Sequence, residues 1–437
     1  MKPENLLSSL SILFLLSILS LQNVSGQKNK CINLGDYYDP DSPTAGFQEA
    51  VDYLTPGGGE IYVPPGIYKI RRSIVLNSGI YIRGNDNHSI IERLDSCIQL
   101  PLVKDCRKGG TEISPKDISG FFIGGEITVY SDSAWGWNSS CGAITEIEGN
   151  TLVIDTPLEK DYLLEENAMI MNFFPVFTAI ETENIRIENL VIDGKMKPGS
   201  NYYNEFVTSA IHFKDVLDVH IEKVTVRNYP ADGFSIQGGR NAFVSNCLAE
   251  YNHGNGFHPG TTINESTWIN NIGRYNGWDG LYFCFNVRYT TVSGNHFYKN
   301  GKNGIGGLGW GGVLGDQMNV VDGNYCFENQ KSGIECTTGK NNIIVNNICE
   351  NNSQEEAGKW PGIYLKNTSS TIIRGNRCCN TGMNESGKTQ GNGILFTGEC
   401  LFNVVTDNIL SGHLNKDISG EYLDKNLIKN NMIYNNN

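Results

Sequence analysis

From about residue 179 onward the chain repeats a short motif: a small residue, an apolar one, a variable one, then a second apolar or small one. Its instances are AIET at Ala179, AIHF at Ala210, GFSI at Gly233, GFHP at Gly256, GLYF at Gly280, GIGG at Gly304, GIEC at Gly333, GIYL at Gly362 and GILF at Gly393. The central spacings are 23, 24 and 24 residues, lengthening to 29, 29 and 31. Further into each unit comes a second short strand with an Asn, at Asn246, Asn271, Asn295, Asn324, Asn347, Asn376 and Asn408. Alternation of period two marks short strands, and no segment of helical period separates them, which excludes a βαβ array. The pattern predicts an all-β fold, a right-handed parallel β-helix in which each unit is one coil and successive coils stack at ~4.8 Å. Phe234, Phe257, Leu281, Ile305, Ile334 and Ile363 are expected to stack as an internal ladder, and the Asn column to bond from coil to coil at a turn. Cys326, Cys349 and Cys378 share one register and are read as stacked core thiols rather than ligands.

The first third is less regular. Ser42 and Pro43 predict a helix N-terminus, followed by an apolar stripe at Phe47, Ala50, Val51 and Leu54. Such a helix covers the open edge of the first coil. Residues 111–173 break the repeat, with longer strands expected over 126–130 and 143–155 around a turn at Glu148, Gly149 and Asn150. They are read as an inserted small β-rich subdomain. The predicted organisation is a signal peptide over 1–26, an N-terminal cap and first coils over 27–110, the insertion over 111–173, and coils over 174–437.

Composition sharpens the picture. Of 437 residues, 51 are Asn and 50 are Gly, which suits many tight turns because both tolerate positive φ. A net charge of −13 with no Lys/Arg-rich run excludes nucleic acid as the expected partner. Lys2, an apolar run over 10–21 and the small residues Val24 and Gly26 predict a secretory signal peptide, and hence an exported protein. No later segment reaches the ~18 apolar residues of a membrane span. The 12 Cys show no CxxC pair and no metal-type spacing, although export permits bridges among Cys31, Cys97, Cys106 and Cys141. No cofactor is expected; calcium at Glu181 and Glu183 lacks a supporting loop motif.

The runs AGFQEAVDYLTPGGGEIYVPPGIYKI and GIYIRGN resemble the N-terminal cap of the pectate lyase-like superfamily of right-handed parallel β-helix proteins. The Asn/Gly coils resemble its carbohydrate-binding and sugar-hydrolysing members. The resemblance implies the fold and a polysaccharide substrate, but not one reaction, since the superfamily holds lyases, hydrolases, epimerases, transferases and non-enzymatic spikes.

Strand alternation maps the chemistry. With the small residue of each unit at position zero, positions one and three point inward, and positions two and four outward. Position two reads Glu181, His212, Ser235, His258, Tyr282, Gly306, Glu335 and Tyr364; position four reads Glu183, Lys214, Gln237, Gly260, Cys284, Leu308, Thr337 and Lys366. Glu181, His212, Lys214, Gln237, His258 and Tyr282 thus form one expected polar patch. Trp278, Trp310, Tyr282 and Tyr364 could stack on sugar rings, with Glu335 beside them. The glycine-rich stretch 304–315 carries Trp310 and is read as a flexible loop edging the groove. The patch suits proton abstraction at C5 of a uronic acid, with His258 or His212 as base, Tyr282 as acid and Lys214 neutralising the carboxylate.

VHIEKVTVRNYPADGFSIQGG resembles the strand entering the catalytic coil of alginate C5-epimerases, which carry Tyr-Gly-Phe-Asp-Pro-His there. Here the Tyr, Asp and His are replaced by Asp232, Ser235 and Gln237. One coil later, Asn255-Gly256-Phe257-His258-Pro259-Gly260 recovers the Pro and a His, with His258 in the Asp position.

Two other readings stand beside lyase or epimerase chemistry. One is an inverting glycoside hydrolase using Asp232 and Asp279, two coils and so ~9.6 Å apart, near the upper end of the inverting range. Against it, Asp-Gly and Asn-Gly at a coil corner are turn chemistry, which alone accounts for Asp232, Asn255, Asp279 and Asn303. The Gly-His-Gly and Arg-x-Lys signals of polygalacturonases are also missing. The other is a non-catalytic carbohydrate-binding β-helix.

Overall fold

The computed structural model describes residues 30–93, 97–197, 199–200, 202, 206–311, 315–383 and 386–434. The expected signal peptide over 1–26 and Gly312 of the glycine-rich stretch lie outside the described residues. Among the described residues, thirty-two strands join by parallel pairing into one continuous system, and six more form a separate antiparallel sheet. Each coil pairs residue for residue with the next: Phe234 with Phe257, Phe257 with Leu281, Leu281 with Ile305, Ile305 with Ile334, and Ile334 with Ile363. All six of these side chains are sealed from solvent, so the interior is one continuous apolar column. Full burial of each such side chain contributes roughly 1.5–3 kcal/mol. Among the described residues no helix is long and apolar enough to cross a membrane.

The small residue that opens each unit has a steric cause. A Cβ at Gly233, Gly256, Gly280, Gly304 or Gly333 would stand 2.7 Å from the carbonyl oxygen of the corresponding glycine one coil on. Only a residue without a side chain lets the coils stack that closely at this corner.

Asparagine supplies the polar counterpart of the apolar column. Asn271, Asn295, Asn324, Asn347, Asn376, Asn408 and Asn431 form a ladder in which each Oδ1 accepts a backbone N–H of the preceding coil at 2.8–3.0 Å. Asn324 Nδ2 also donates to the Val292 carbonyl at 2.9 Å. A second ladder runs through Asn252, Asn276, Asn300, Asn329 and Asn352 and closes on Gln390. Buried backbone groups at the corners are thereby satisfied without water. The first ladder begins at Cys247 rather than at Asn246, which lies one residue earlier in a left-handed conformation (φ 55°).

Cys326, Cys349 and Cys378 pair in register and are fully buried, as expected of core thiols. The bridges that export would permit among Cys31, Cys97, Cys106 and Cys141 do not form; all four are free thiols. Among the described residues no group of three or more His, Cys, Asp or Glu could hold a metal ion.

The capping helix spans Phe47–Leu54 and buries Phe47, Ala50, Val51 and Leu54 against the first coils. It starts four residues later than Ser42 and Pro43 suggest, because Ala45 (φ 53°) and Gly46 (φ 88°) turn the chain through left-handed conformations. Ser42 instead donates its hydroxyl to Glu49 at 2.9 Å.

The antiparallel sheet comprises Gln99–Pro101, Glu112–Ile113, Glu126–Tyr130, Ser140–Glu148, Thr151–Ile154 and Met169–Met171. Ile113, Ile127, Val129, Leu152, Tyr162 and Ile170 give it a core of its own. The sheet begins at Gln99 rather than at 111, since Gln99–Pro101 pairs with Met169–Met171 and closes the insertion where the chain enters and leaves it. That pairing spans some seventy residues and has no local sequence signal. Glu126 ties the insertion to the solenoid by accepting the Ser73 N–H at 2.8 Å.

Candidate active site

One face of the solenoid carries the strands Phe177–Ile180, Ile211–Arg227, Phe234–Ser245, Phe257–Pro259, Leu281–Tyr282, Ile305–Leu308, Ile334–Thr337 and Ile363–Lys366. Their pairing brings His212, Ser235 and His258 into one outward column, and Tyr282, Gly306, Glu335 and Tyr364 continue it. Lys214 pairs with Gln237 two positions along.

At the centre, His258 Nδ1 lies 2.7 Å from Asp232 Oδ2, and both side chains are buried, at 4% and 0% exposure. Asp232 Oδ1 accepts the Asn255 backbone N–H at 2.6 Å. On the other side of the ring, Gln237 Nε2 stands 3.4 Å from His258 Nε2. The Thr261 N–H donates to Gln237 Oε1 at 2.7 Å, and Gln237 Nε2 donates to Ser235 at 2.9 Å, so the amide is fixed at both ends. Gly260 makes room for it: a Cβ there would lie 2.0 Å from Gln237 Cδ. Tyr282 meets the His258 ring edge-on, with centroids 5.3 Å apart.

Cys284 completes the cluster. It is half-buried, and its Sγ lies 3.2 Å from Thr261 Oγ1. Burial opposes the His258 charge, but hydrogen bonds and charge from Asp232 and Cys284 outweigh it and carry the imidazolium pKa up to about 10. For Cys284, burial works against ionisation, yet His258 and the Thr261 hydroxyl pull the thiol below its ordinary value. Tyr282 is pushed up by burial and by neighbouring acidic groups, so it remains a protonated phenol. His212 is desolvated, which drives its pKa down to about 3 and keeps it neutral.

The insertion roofs this cluster. Trp137, on the turn Gly136–Asn138, packs 5.9 Å from the His212 ring and 5.0 Å from Phe206, and Lys214 Nζ sits 5.2 Å from its ring centre. Phe206 in turn lies 6.2 Å from His258. His212, Gln237 and His258, expected as exposed groove residues, are therefore buried, at 5%, 1% and 4% exposure.

The remaining sequence-derived candidates fall in three places. Asp279 is buried beside Gly306; its Oδ1 accepts the Asn303 N–H at 2.8 Å, and desolvation raises its pKa to about 7. Asn303 Nδ2 donates to Glu335 at 3.0 Å, and burial raises that carboxyl also. Tyr364 accepts the Thr397 hydroxyl at 2.9 Å and lies four coils beyond His258, ~19 Å along the face at the strand spacing. Trp278 and Trp310 are exposed at the flanks, the first with Lys302 Nζ 3.6 Å from its ring centre.

Glu181 does not join the patch. The residue beside His212 is Thr178, because that coil opens at Val176 and not Ala179; Glu181 is exposed at the following corner with φ 52°. Leu308 also departs from its expected outward position: a bulge after Ile305 turns it inward to pair with Cys336. Residues given no role from sequence are Cys284, noted only by its register, and Trp137 and Phe206, whose approach is tertiary.

A family model described as a right-handed β-helix region matches residues 209–353. No curated protein matches the sequence significantly. Among solved structures, the A-module of mannuronan C-5 epimerase AlgE4 from Azotobacter vinelandii is similar with a TM-score of 0.63 at 16% identity, covering 92% of this chain and 95% of that one. The enzymatically active domain of bacteriophage CBA120 tailspike protein 2 gives 0.55 at 13% identity, covering 90% and 52%. A family 28 exopolygalacturonase from Yersinia enterocolitica gives 0.51 at 13% identity, covering 93% and 78%. Coil register, family match and superpositions agree on the fold: the chain is a right-handed parallel β-helix protein.

Proposed function

We propose that this chain is an exported, carbohydrate-active enzyme whose polysaccharide substrate lies along the face that carries His258. Its reaction is proton abstraction at C5 of a uronic acid, leading to β-elimination or epimerisation. The observation that carries this reading is the buried His258–Asp232 pair in edge contact with Tyr282. C5 abstraction needs a charge-stabilising group for the developing enediolate and an acid for the leaving oxygen or the opposite face. An imidazolium held by Asp232, the Lys214 ammonium two strands away and the protonated Tyr282 phenol fit those roles. The likeness of fold to proteins that act on mannuronan and galacturonan supports the substrate class.

Hydrolysis by Asp232 and Asp279 is the second reading, favoured by the Asp279 pKa of about 7, which suits a general acid. Asp232, however, is committed to His258 and to the Asn255 N–H. The test is mass spectrometry of products from a panel of acidic and neutral polysaccharides. Unsaturated fragments without added water, or inversion at C5, are expected. Fragments that gain water would replace this reading by hydrolysis.

A further inference from the structure

We infer that Cys284 is the residue that removes the C5 proton, with His258 and Asp232 serving to hold its thiolate. The assignment rests on the uronate reading of the site and replaces a histidine base by a sulfur one. Geometry is the first ground. His258 has Nδ1 on Asp232 at 2.7 Å and Nε2 3.4 Å from the Gln237 amide, and the ring is 4% exposed. Neither ring nitrogen is left to meet a substrate carbon. Cys284, one coil further and facing the same side, is the half-buried member of the relay and the one with access to the groove. Its Sγ is aimed by Thr261 at 3.2 Å, and Thr261 is itself anchored through Gln237.

Protonation states give independent support. A histidine with a pKa of about 10 is neutral in only about one molecule in a thousand at pH 7, so it rests as an acid. A thiol pulled down by that imidazolium rests closer to the working pH, where a general base is most effective. The titratable groups around the relay are Asp232, Lys214, Asp279 and Asp316, the last two carboxyls raised by burial, with neutral His212 and Tyr282.

The step balances without a cofactor. The Cys284 thiolate forms an S–H bond as the C5–H bond breaks, and the electron pair passes into the carboxylate as an enediolate beside Lys214 and the His258 imidazolium. For elimination, that pair forms the C4–C5 double bond while the C4–O4 bond breaks and O4 takes the Tyr282 proton. For epimerisation, C5 takes the Tyr282 proton from the opposite face. Solvent returns the proton to Tyr282 and accepts the one on Cys284.

The experiment has two arms on the full chain. In the first, iodoacetamide alkylation is followed against pH, with the modified site located by peptide mass spectrometry. Cys284 is expected to react with a midpoint below the ~8.5 of a free thiol. His258→Gln should move that midpoint back up. In the second, polymannuronate, polyguluronate and polygalacturonate are incubated in deuterated water and C5 deuterium is measured. Cys284→Ala and Cys284→Ser should lose exchange at least 100-fold while the chain stays folded and still binds polysaccharide. Exchange within threefold of wild type in Cys284→Ala overturns the assignment and leaves the uronate reading standing. Absence of exchange and of product with all three polyuronates in the wild type overturns both.

Discussion

Asp232 holds His258 across a single coil step, Oδ2 to Nδ1 at 2.7 Å, with both side chains shut off from solvent. Removing one partner of a buried charged pair leaves the other uncompensated, at a cost of about 3–5 kcal/mol. Asp232→Ala is therefore expected to lower unfolding free energy by about that amount in urea titrations. Asp232→Asn keeps the acceptor for the Asn255 N–H and should cost less. In that variant His258, observed by NMR, should titrate several pH units lower than in wild type.

Asp279 makes stability depend on pH in the opposite sense to an ordinary surface carboxylate. Its folded pKa, about 7, lies above the value of about 3.9 in an unfolded chain. The neutral acid is favoured by the fold, so its contribution is fully present below about pH 3.9, falls as pH rises to about 7, and stays at its minimum above that. Asp279→Asn should remove this slope. At pH 8 the variant should be more stable than wild type, by at most on the order of 4 kcal/mol. Denaturation midpoints of both proteins from pH 4 to 8 decide it; parallel curves would refute the claim.

Asn324 sits mid-ladder, receiving the Asn295 backbone N–H at 3.0 Å and donating to Val292 and Asn347 at 2.9 Å. Asn324→Leu takes that partner from the buried Asn295 N–H and the Val292 carbonyl, each costing about 1–3 kcal/mol. We expect a loss of at least about 2 kcal/mol in total, with hydrogen exchange rising first at residues 295, 324 and 347.

Gly260→Ala should disturb function more than folding. Its new methyl would displace the Gln237 amide, freeing the Thr261 N–H and removing the amide from beside His258 Nε2. At least a tenfold fall in turnover is expected. Adding Gln237→Ala should restore the thermal midpoint without restoring turnover, a non-additivity that reports their shared space.

Trp137 reaches the solenoid from the insertion and touches His212, Phe206 and Lys214. If it forms one wall of the sugar groove, Trp137→Ala should weaken polysaccharide binding about tenfold, the scale of one lost aromatic contact. The solenoid's thermal midpoint should not move, and unchanged binding would remove Trp137 from the groove.

What could be read from the chain, and what could not, follows from the range of each interaction. Position-zero glycines and the inward Phe/Ile/Leu column repeat because each coil meets the same steric demand from the next, so Gly233 and Phe234 announce Gly256 and Phe257. His258 and Tyr282 could be placed on one face for the same reason. The sequence misassigns Glu181 because AIET at Ala179 imitates the unit, while the true coil opens three residues earlier at Val176. The bulge that turns Leu308 inward leaves no mark on alternation until partners are known. Cys284 stands in the correct column, yet its link to His258 runs diagonally between coils, and a single column does not reveal it. Trp137 was out of reach altogether, since nothing local tells where an insertion folds back.

Successive rungs of the first asparagine ladder are 24, 29, 23, 29, 32 and 23 residues apart, yet their hydrogen bonds vary by only 0.2 Å. Chain length between rungs is thus a free variable and the rungs are fixed points. Foreign segments grafted at the longer corners, such as that between Asn376 and Asn408, should leave the stack undisturbed. The scaffold can in this way be given new rims around an unchanged floor.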